Sequence, residues 1–268
     1  MMTATSVPSL LTTRFQQMSV SRRSYPALMK QDLHAHTYTN ITFIVSGSLS
    51  ETVGTRVEWA RPLSIVIKPE GTKHVNQFGP GGAVTLSVRL DQSFTRALQD
   101  WQKDLNQWRW QHCGSATKWF LRLMQSLQGR EIEARAEIEN HLYEMLAVLS
   151  TTPTLKPANF PCWLRLVKQQ IDDDVENCGR VADLAARAGV HPVYLARQFR
   201  SYLAVSVSEY VKQSRLVTTA QLLSASRLSL ASIAAQAGFS DQSHMGRRLK
   251  STIGLTPHKY RRLVSNIL

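Results

Sequence analysis

The sequence predicts an α+β protein. An N-terminal β-barrel with flanking helices is followed by an all-α domain in which two helix-turn-helix units are joined by a long helix. Three observations predict it. Apolar residues alternate through residues 31–90. Residues 151–161, TTPTLKPANFP, hold three prolines in eleven positions, a composition that resists helix and marks a linker. The last hundred residues carry one helix-pair pattern twice. A chain of 268 residues has room for two cores. The expected layout is a β domain at 1–150, a linker at 151–161 and a helical domain at 162–268, with helix-turn-helix units at 181–203 and 230–253.

Residues 1–30 are polar and rich in Ser and Thr, and read as a loose arm leading into the first strand. In 31–90, Ile41, Phe43 and Val45 alternate up to Gly47, Val84, Leu86 and Val88 alternate again, and Ile65-Val66-Ile67 is a short buried run. Short strands between Gly and Pro turns suggest a small barrel. Residues 93–150 turn helical, with one stripe at Trp101, Leu105 and Trp108 and a second from Trp119 to Leu127. A third stripe from Glu131 to Leu149 contains Ile132, Ile138, Leu142, Met145, Leu146 and Leu149. These stripes cover the barrel, and one of them is expected to pair with a second copy in a homodimer.

In the C-terminal part, Leu230, Ile233, Ala234 and Ala237 form one helix face. Gly238 then supplies a left-handed turn, and Ser240 and Asp241 suit the N-cap of a second helix. Met245 and Leu249 give that helix its buried stripe, leaving a polar, basic outer face. The pattern recurs upstream. Leu184, Ala185, Ala188 and Gly189 match Ile233, Ala234, Ala237 and Gly238 at an offset of 49. After the turn, Leu195, Arg197, Phe199, Arg200 and Tyr210 match Met245, Arg247, Leu249, Lys250 and Tyr260 at an offset of 50. His191 falls at the cap and Pro192 at the first helical position. A paired, basic helix-turn-helix is the geometry that enters successive major grooves, about 34 Å apart.

Bulk charge agrees. Lys and Arg number 32 against 19 Asp and Glu, for a net charge of +13, and residues 161–268 alone hold 15 basic and 7 acidic side chains. That is the footprint of a polyanion binder. Three dispersed cysteines, Cys113, Cys162 and Cys178, suit a reducing compartment. His112 beside Cys113 hints at a reactive thiol, although a structural cysteine is the commoner outcome. No apolar run approaches ~18 residues and no export signal opens the chain, so a cytoplasmic protein without membrane contact is expected.

The run from Ile233-Ala234 through Gly238-Phe239, Gln242-Ser243, Arg247 and Lys250 to Gly254, Thr256-Pro257 and Tyr260-Arg261 resembles the signature of AraC/XylS-type transcription regulators. Met245 stands where that family usually carries Phe. The resemblance implies double-stranded DNA as partner. It places Val193 and Arg197 of the first unit, and Gln242, Ser243 and Arg247 of the second, at base-facing positions. Arg200, Arg248 and Lys250 are expected on phosphates. Arginine grips guanine bidentately and glutamine does so with adenine. RNA polymerase is a further expected partner if the chain is an activator.

Two N-terminal fragments, His34-Ala35-His36 and Pro69-Glu70-Gly71-Thr72-Lys73-His74, resemble a cupin. Metal-binding cupins add a glutamate, and here Asn40, a poor ligand, stands in its place. No metal and no cofactor are therefore expected, and the cupin-like pocket around His34, His36 and His74 is expected to take a small-molecule effector. The alternative, a metal-dependent cupin enzyme with a DNA-binding appendage, would need a metal on those three histidines. An architectural DNA binder is a third reading. No Ser/His/Asp motif, phosphate loop or carboxylate pair supports another enzyme class, so no enzyme is expected.

Overall fold

A computed structural model describes residues 9–15, 17–97, 105, 107–128, 131–150 and 160–266. Eight strands come first: β1 (Ser9–Arg14), β2 (Met18–Tyr25), β3 (Lys30–His34), β4 (Thr39–Val53), β5 (Arg56–Ala60), β6 (Ser64–Lys68), β7 (His74–Leu90) and, after a short helix α1 (Gln92–Ala97), β8 (Arg109–His112). The helices α2 (Thr117–Ser126) and α3 (Glu131–Ser150) close the N-terminal part. The C-terminal part is α4 (Cys162–Asp173), α5 (Val181–Arg187), α6 (Pro192–Leu203), α7 (Val207–Ala225), α8 (Leu230–Gln236), α9 (Gln242–Ile253) and α10 (Pro257–Ser265). Among the described residues no helix is long and apolar enough to cross a membrane.

All strand pairs are antiparallel. They run in the order β1-β2-β7-β4-β6-β8, with β3 added to β7 and β5 to β4. This path has two free ends, so the pairings make an open sheet rather than the closed barrel that the strand pattern suggested. The long strands β4 and β7 carry it. The first half of β4 pairs with the second half of β7, and the register slips between Ile44 and Leu49. Glycine makes the bend. Gly47 has φ +76°, and a Cβ there would lie 2.0 Å from the Gly82 carbonyl oxygen. Gly82, at φ +66°, would in turn meet the Tyr25 oxygen at 2.2 Å. Backbones this close leave no room for any side chain.

The two-residue period sorts the strands onto two cores. Ile41, Phe43, Ile65, Ile67, Leu86 and Val88 face the main core. Ile44, Val66, Phe78 and Trp110 face a smaller cluster on the other side. Two expectations are corrected here. Residues 9–25 are not an arm but a β1–β2 hairpin laid on β7, with Val20 opposite Val88. The segment read as wholly helical contains β8, which pairs with β6 from Ser64↔His112 to Ile67↔Arg109. Trp108 precedes that strand and is on no helical stripe; its Nε1 donates to Glu51 Oε1 at 2.6 Å. A lone tryptophan run cannot distinguish a four-residue edge strand from a helix turn. Trp101, the side chain of Ile132 and residues 151–159 of the expected linker lie outside the described residues.

The helical part joins two cores. Phe120, Leu123 and Met124 of α2 and Ile138, Leu142, Met145 and Leu149 of α3 pack on the sheet. The same continuous cluster takes in Leu216 and Ala220 of α7, Ile233 of α8, Met245 and Leu249 of α9, and Tyr260 of α10. A separate cluster holds Leu164, Val167 and Ile171 of α4 with Leu184, Leu195, Phe199, Val207 and Tyr210. The later helix pair is therefore built into the core of the sheet, and the earlier one has its own.

Candidate nucleic-acid interface

Each helix pair is set by local chemistry. In the first, the Asp183 carboxylate accepts from the Arg180 N–H at 2.7 Å, which anchors the start of α5. Gly189 turns the chain at φ +67°. His191 then caps α6, its Nδ1 accepting from the Val193 N–H at 3.3 Å, with Pro192 in the first turn. Leu195 and Phe199 are fully buried below. Val193 is 69 % exposed, and Arg197 and Arg200 are exposed on the same helix.

The second pair repeats this with stronger caps. Ser229 Oγ accepts from Ser232 N–H at 3.1 Å at the start of α8. Gly238 turns at φ +74°, pressed against the Val175 carbonyl. Asp241 Oδ1 accepts from His244 N–H at 2.7 Å and caps α9. That hydrogen bond, with a second from the Ser240 hydroxyl at 3.0 Å, holds the exposed Asp241 carboxyl below its usual range. Met245, Leu249 and Ile253 are buried; Gln242, Ser243, Arg247 and Lys250 are exposed. The first pair is the more strained, because Ala204 ends α6 at φ +56° where Gly254 ends α9 at φ +81°. A Cβ in that region costs about 1–2 kcal/mol.

The predicted base- and phosphate-facing residues thus fall on the solvent faces of α6 and α9. Arg197, Arg200, Arg247 and Lys250 make no ion pair among the described residues. Arg248 differs: it is half-buried, and its Nη2 lies 3.7 Å from Glu209 Oε2 on α7. Two histidines beside these faces have structural jobs. His191 is a cap, and His244 meets Ser240 Oγ at 3.1 Å and packs edge-on against Phe239. Tyr194 escaped the sequence reading. It is 43 % exposed beside Val193 and stacks on Trp163; an aromatic in the first turn of the second helix of the pair was the available signal. The thiol reading at Cys113 fails. The side chain is buried, and burial pushes the thiol up to about 12, which keeps it protonated.

A second cluster lies in the N-terminal part. His34 stands directly opposite His74 in the β3–β7 pairing. Their ring centroids are 4.2 Å apart, and His36 lies 5.2 Å from each. His34 Nδ1 bonds to the Asp32 carbonyl at 2.7 Å and His74 Nδ1 to the Thr72 carbonyl at 2.8 Å. A carbonyl only accepts, so both Nδ1 atoms carry the proton and both Nε2 atoms present a lone pair. Burial first, then the Lys68 charge, lowers His36 and His74 to about 3, so both rings are neutral. Lys68 is itself paired with Glu51 at 2.5 Å. Asn40, at the expected carboxylate position, lines the adjoining cavity with Arg23, Tyr38 and Arg89.

Residues 184–263, 80 of the 268, match the family described as a helix-turn-helix domain. The Msm operon regulatory protein of Streptococcus mutans is 27 % identical over 164 residues, covering 58 % of this chain and 59 % of its own length. The regulatory protein PocR of Salmonella typhimurium is 29 % identical over 113 residues, 42 % of this chain and 36 % of its own. The chain thus spans less than two thirds of either relative. A solved transcriptional regulator of Chromobacterium violaceum, described as an AraC-type DNA-binding domain-containing protein, aligns over 38 % of this chain and 92 % of its own. It is 26 % identical, with a TM-score of 0.37. The matched helix-turn-helix domain at 184–263 contains the stretch that resembles the AraC/XylS motif, and over this part the chain is similar to proteins named as regulators.

Proposed function

We propose that the protein is a sequence-specific DNA-binding transcription regulator. In this reading α5–α6 and α8–α9 are two helix-turn-helix units, held apart by α7, and α6 and α9 enter successive major grooves. Val193 and Arg197 read one half of the site; Gln242, Ser243 and Arg247 read the other. Arg200 and Lys250 hold phosphates and set register. Arg248 joins them by exchanging its weak ion pair with Glu209, largely solvent-screened, for a phosphate. The N-terminal part is a cupin-like sensor whose cavity beside His34, His36 and His74 takes a small ligand. It also offers a face to a second copy, and as an activator the chain would touch RNA polymerase.

One observation carries this reading. Two helix pairs of the same construction, with apolar residues buried at matching positions, leave unpaired arginines on the outer face of each second helix. A ligand modulates such a protein only by binding one domain arrangement better than another. The test is Arg247→Ala, measured by fluorescence anisotropy on a DNA site selected from a random pool and on scrambled DNA. Specific binding weakens by about 1–3 kcal/mol with relaxed preference at one base pair. Equal loss on both DNAs rejects base reading by Arg247.

A further inference from the structure

The short strand β8 ends the sheet and pairs with β6 alone among the described residues. Beyond its last residue the Cys113 N–H donates to the Leu63 carbonyl at 2.9 Å. In an antiparallel pair every second residue turns its backbone toward the neighbour. Gln111 and Arg109 therefore face β6 together with Cys113. The N–H and C=O of Trp110 and His112 point the other way, to the open edge. Such an edge is usually paired, covered or blunted. Here a cavity of about 180 Å³ lies against it. Trp110 lines the cavity from one face of β8 and Gln111 from the other, so the space wraps around the strand. Its far wall belongs to the first helix pair and its neighbour: Leu203 and Val205 at the end of α6, and Tyr210 and Gln213 on α7. It shares no lining residue with the histidine cavity.

The chemistry of the walls defines a guest. Trp110 Nε1 and Gln111 Oε1 are buried without a hydrogen-bond partner. The first can only donate and the second only accept, and the backbone edge offers one group of each kind again. Buried polar groups are nearly always paired, so the cavity suits a guest with both a donor and an acceptor. Ions are disfavoured. Lys168 already pairs with Asp172 at 3.2 Å, and Arg109 Nη2 donates to the Leu149 carbonyl. These two cations oppose an incoming cation, and Glu58 and Asp172 oppose an anion. His112 adds no charge: burial first, then Lys168, lowers its ring to about 3, and its Nδ1 meets Ser64 Oγ at 2.8 Å. Ile65, Ile67 and Leu149 make much of the remaining wall apolar. An apolar cavity of about 150 Å³ admits benzene, so this one has room for a single ring with a few added atoms.

We propose that the cavity between β8 and α7 binds a small, uncharged, flat cyclic amide whose adjacent N–H and C=O pair with the open backbone edge of β8. Main-chain pairing at a strand edge is a general mode of recognition, and a ring amide presents the same two groups as a neighbouring strand. The guest would touch the sheet on one side and the α6–α7 turn on the other. The later helix pair shares its core with the sheet, so a guest here biases where α6 stands relative to α9. That regulatory consequence rests on the proposed DNA reading; the binding does not.

The test titrates the full chain with 2-pyridone by isothermal calorimetry, beside N-methyl-2-pyridone and benzoate. One 2-pyridone binds per chain at about millimolar or tighter, as expected for so small a guest. N-methyl-2-pyridone, which keeps the ring and loses the donor, binds at least ~5-fold more weakly, and benzoate more weakly still. Val205→Phe and Gln213→Phe, each at a half-buried lining residue, fill the space and abolish binding. Wild-type chain that ignores 2-pyridone at ~10 mM, or a folded filling variant that binds it unchanged, overturns the site. N-methyl-2-pyridone binding equally well overturns the edge pairing, and benzoate binding equally well overturns the uncharged class. Selected DNA is titrated with and without saturating 2-pyridone. A change in specific affinity of ~5-fold or more is expected, and none overturns the regulatory consequence. Intact specific DNA binding beside absent 2-pyridone binding rejects this proposal and leaves the regulator standing.

Discussion

Asp172, at the end of α4, joins the earlier helix pair to the sheet. Its carboxylate accepts from Tyr210 Oη at 3.0 and 2.9 Å and from Ser214 Oγ at 3.0 Å, both on α7. It also pairs with Lys168 Nζ at 3.2 Å and with Arg61 Nη2 at 3.2 Å. Arg61 belongs to the N-terminal part and donates again to the Asp172 carbonyl at 3.0 Å. Asp172→Ala removes one carboxylate and leaves four donors facing each other. Hydrogen bonds to a charged group are worth about 1.5–3 kcal/mol each, but such networks are not additive, and breaking a buried pair costs about 3–5 kcal/mol. The side chain is 20 % exposed, so the lower end applies, and we expect about 3 kcal/mol. Burial by itself would raise this carboxyl; Lys168, Arg61, His112 and the Tyr210 hydroxyl outweigh it and hold it below the usual carboxylate range. A depressed folded value means stability that is present above the unfolded value, about 4, and is lost as pH falls through the folded one. The gap between wild type and Asp172→Ala in urea unfolding, followed by circular dichroism, is therefore full at pH 7 and shrinks in acid. A gap under about 1 kcal/mol at pH 7, or one that widens in acid, refutes the reasoning.

Other predictions are briefer. Lys250→Ala weakens specific and scrambled DNA alike and lowers the salt slope by about one, and an unchanged slope removes it from the phosphates. Gly47→Ala, with its Cβ 2.0 Å from the Gly82 oxygen, prevents folding or lowers the melting temperature far more than Gly71→Ala. Gly71 has φ +75° but open space around it, so equal effects would refute the close-approach argument. A thiol reagent labels exposed Cys162 quickly and spares buried Cys113, whose thiol is held protonated; mass spectrometry showing Cys113 modified in the native chain would contradict this.

Much of the proposed DNA face was legible in the sequence because the signals are local. Gly189 and Gly238 turn in the left-handed region that a Cβ disfavours, His191 and Asp241 cap the helices they precede, and Leu195 and Met245 are buried at matching positions. The alternation of Ile41, Phe43, Leu86 and Val88 likewise fixed which side of each strand is apolar. Long-range pairing was not legible. Nothing within residues 9–25 says that they will lie on β7, and four residues from Arg109 carry too few periods to show a strand.

What the sequence determined by itself is two capped, basic helix pairs and a β-rich region ahead of them, since caps, turns and periodicity act over a few residues. Tertiary structure alone decided three things. The later helix pair shares its core with the sheet through Tyr260, Phe120 and Phe43, whereas the earlier pair is tied to it through Arg61 and Asp172. The sheet stays open. His74 comes to face His34 across 40 residues of chain, in a cavity with two arginines. Each depends on which distant surfaces exclude water together, and that is a property of the packed chain rather than of any stretch of it.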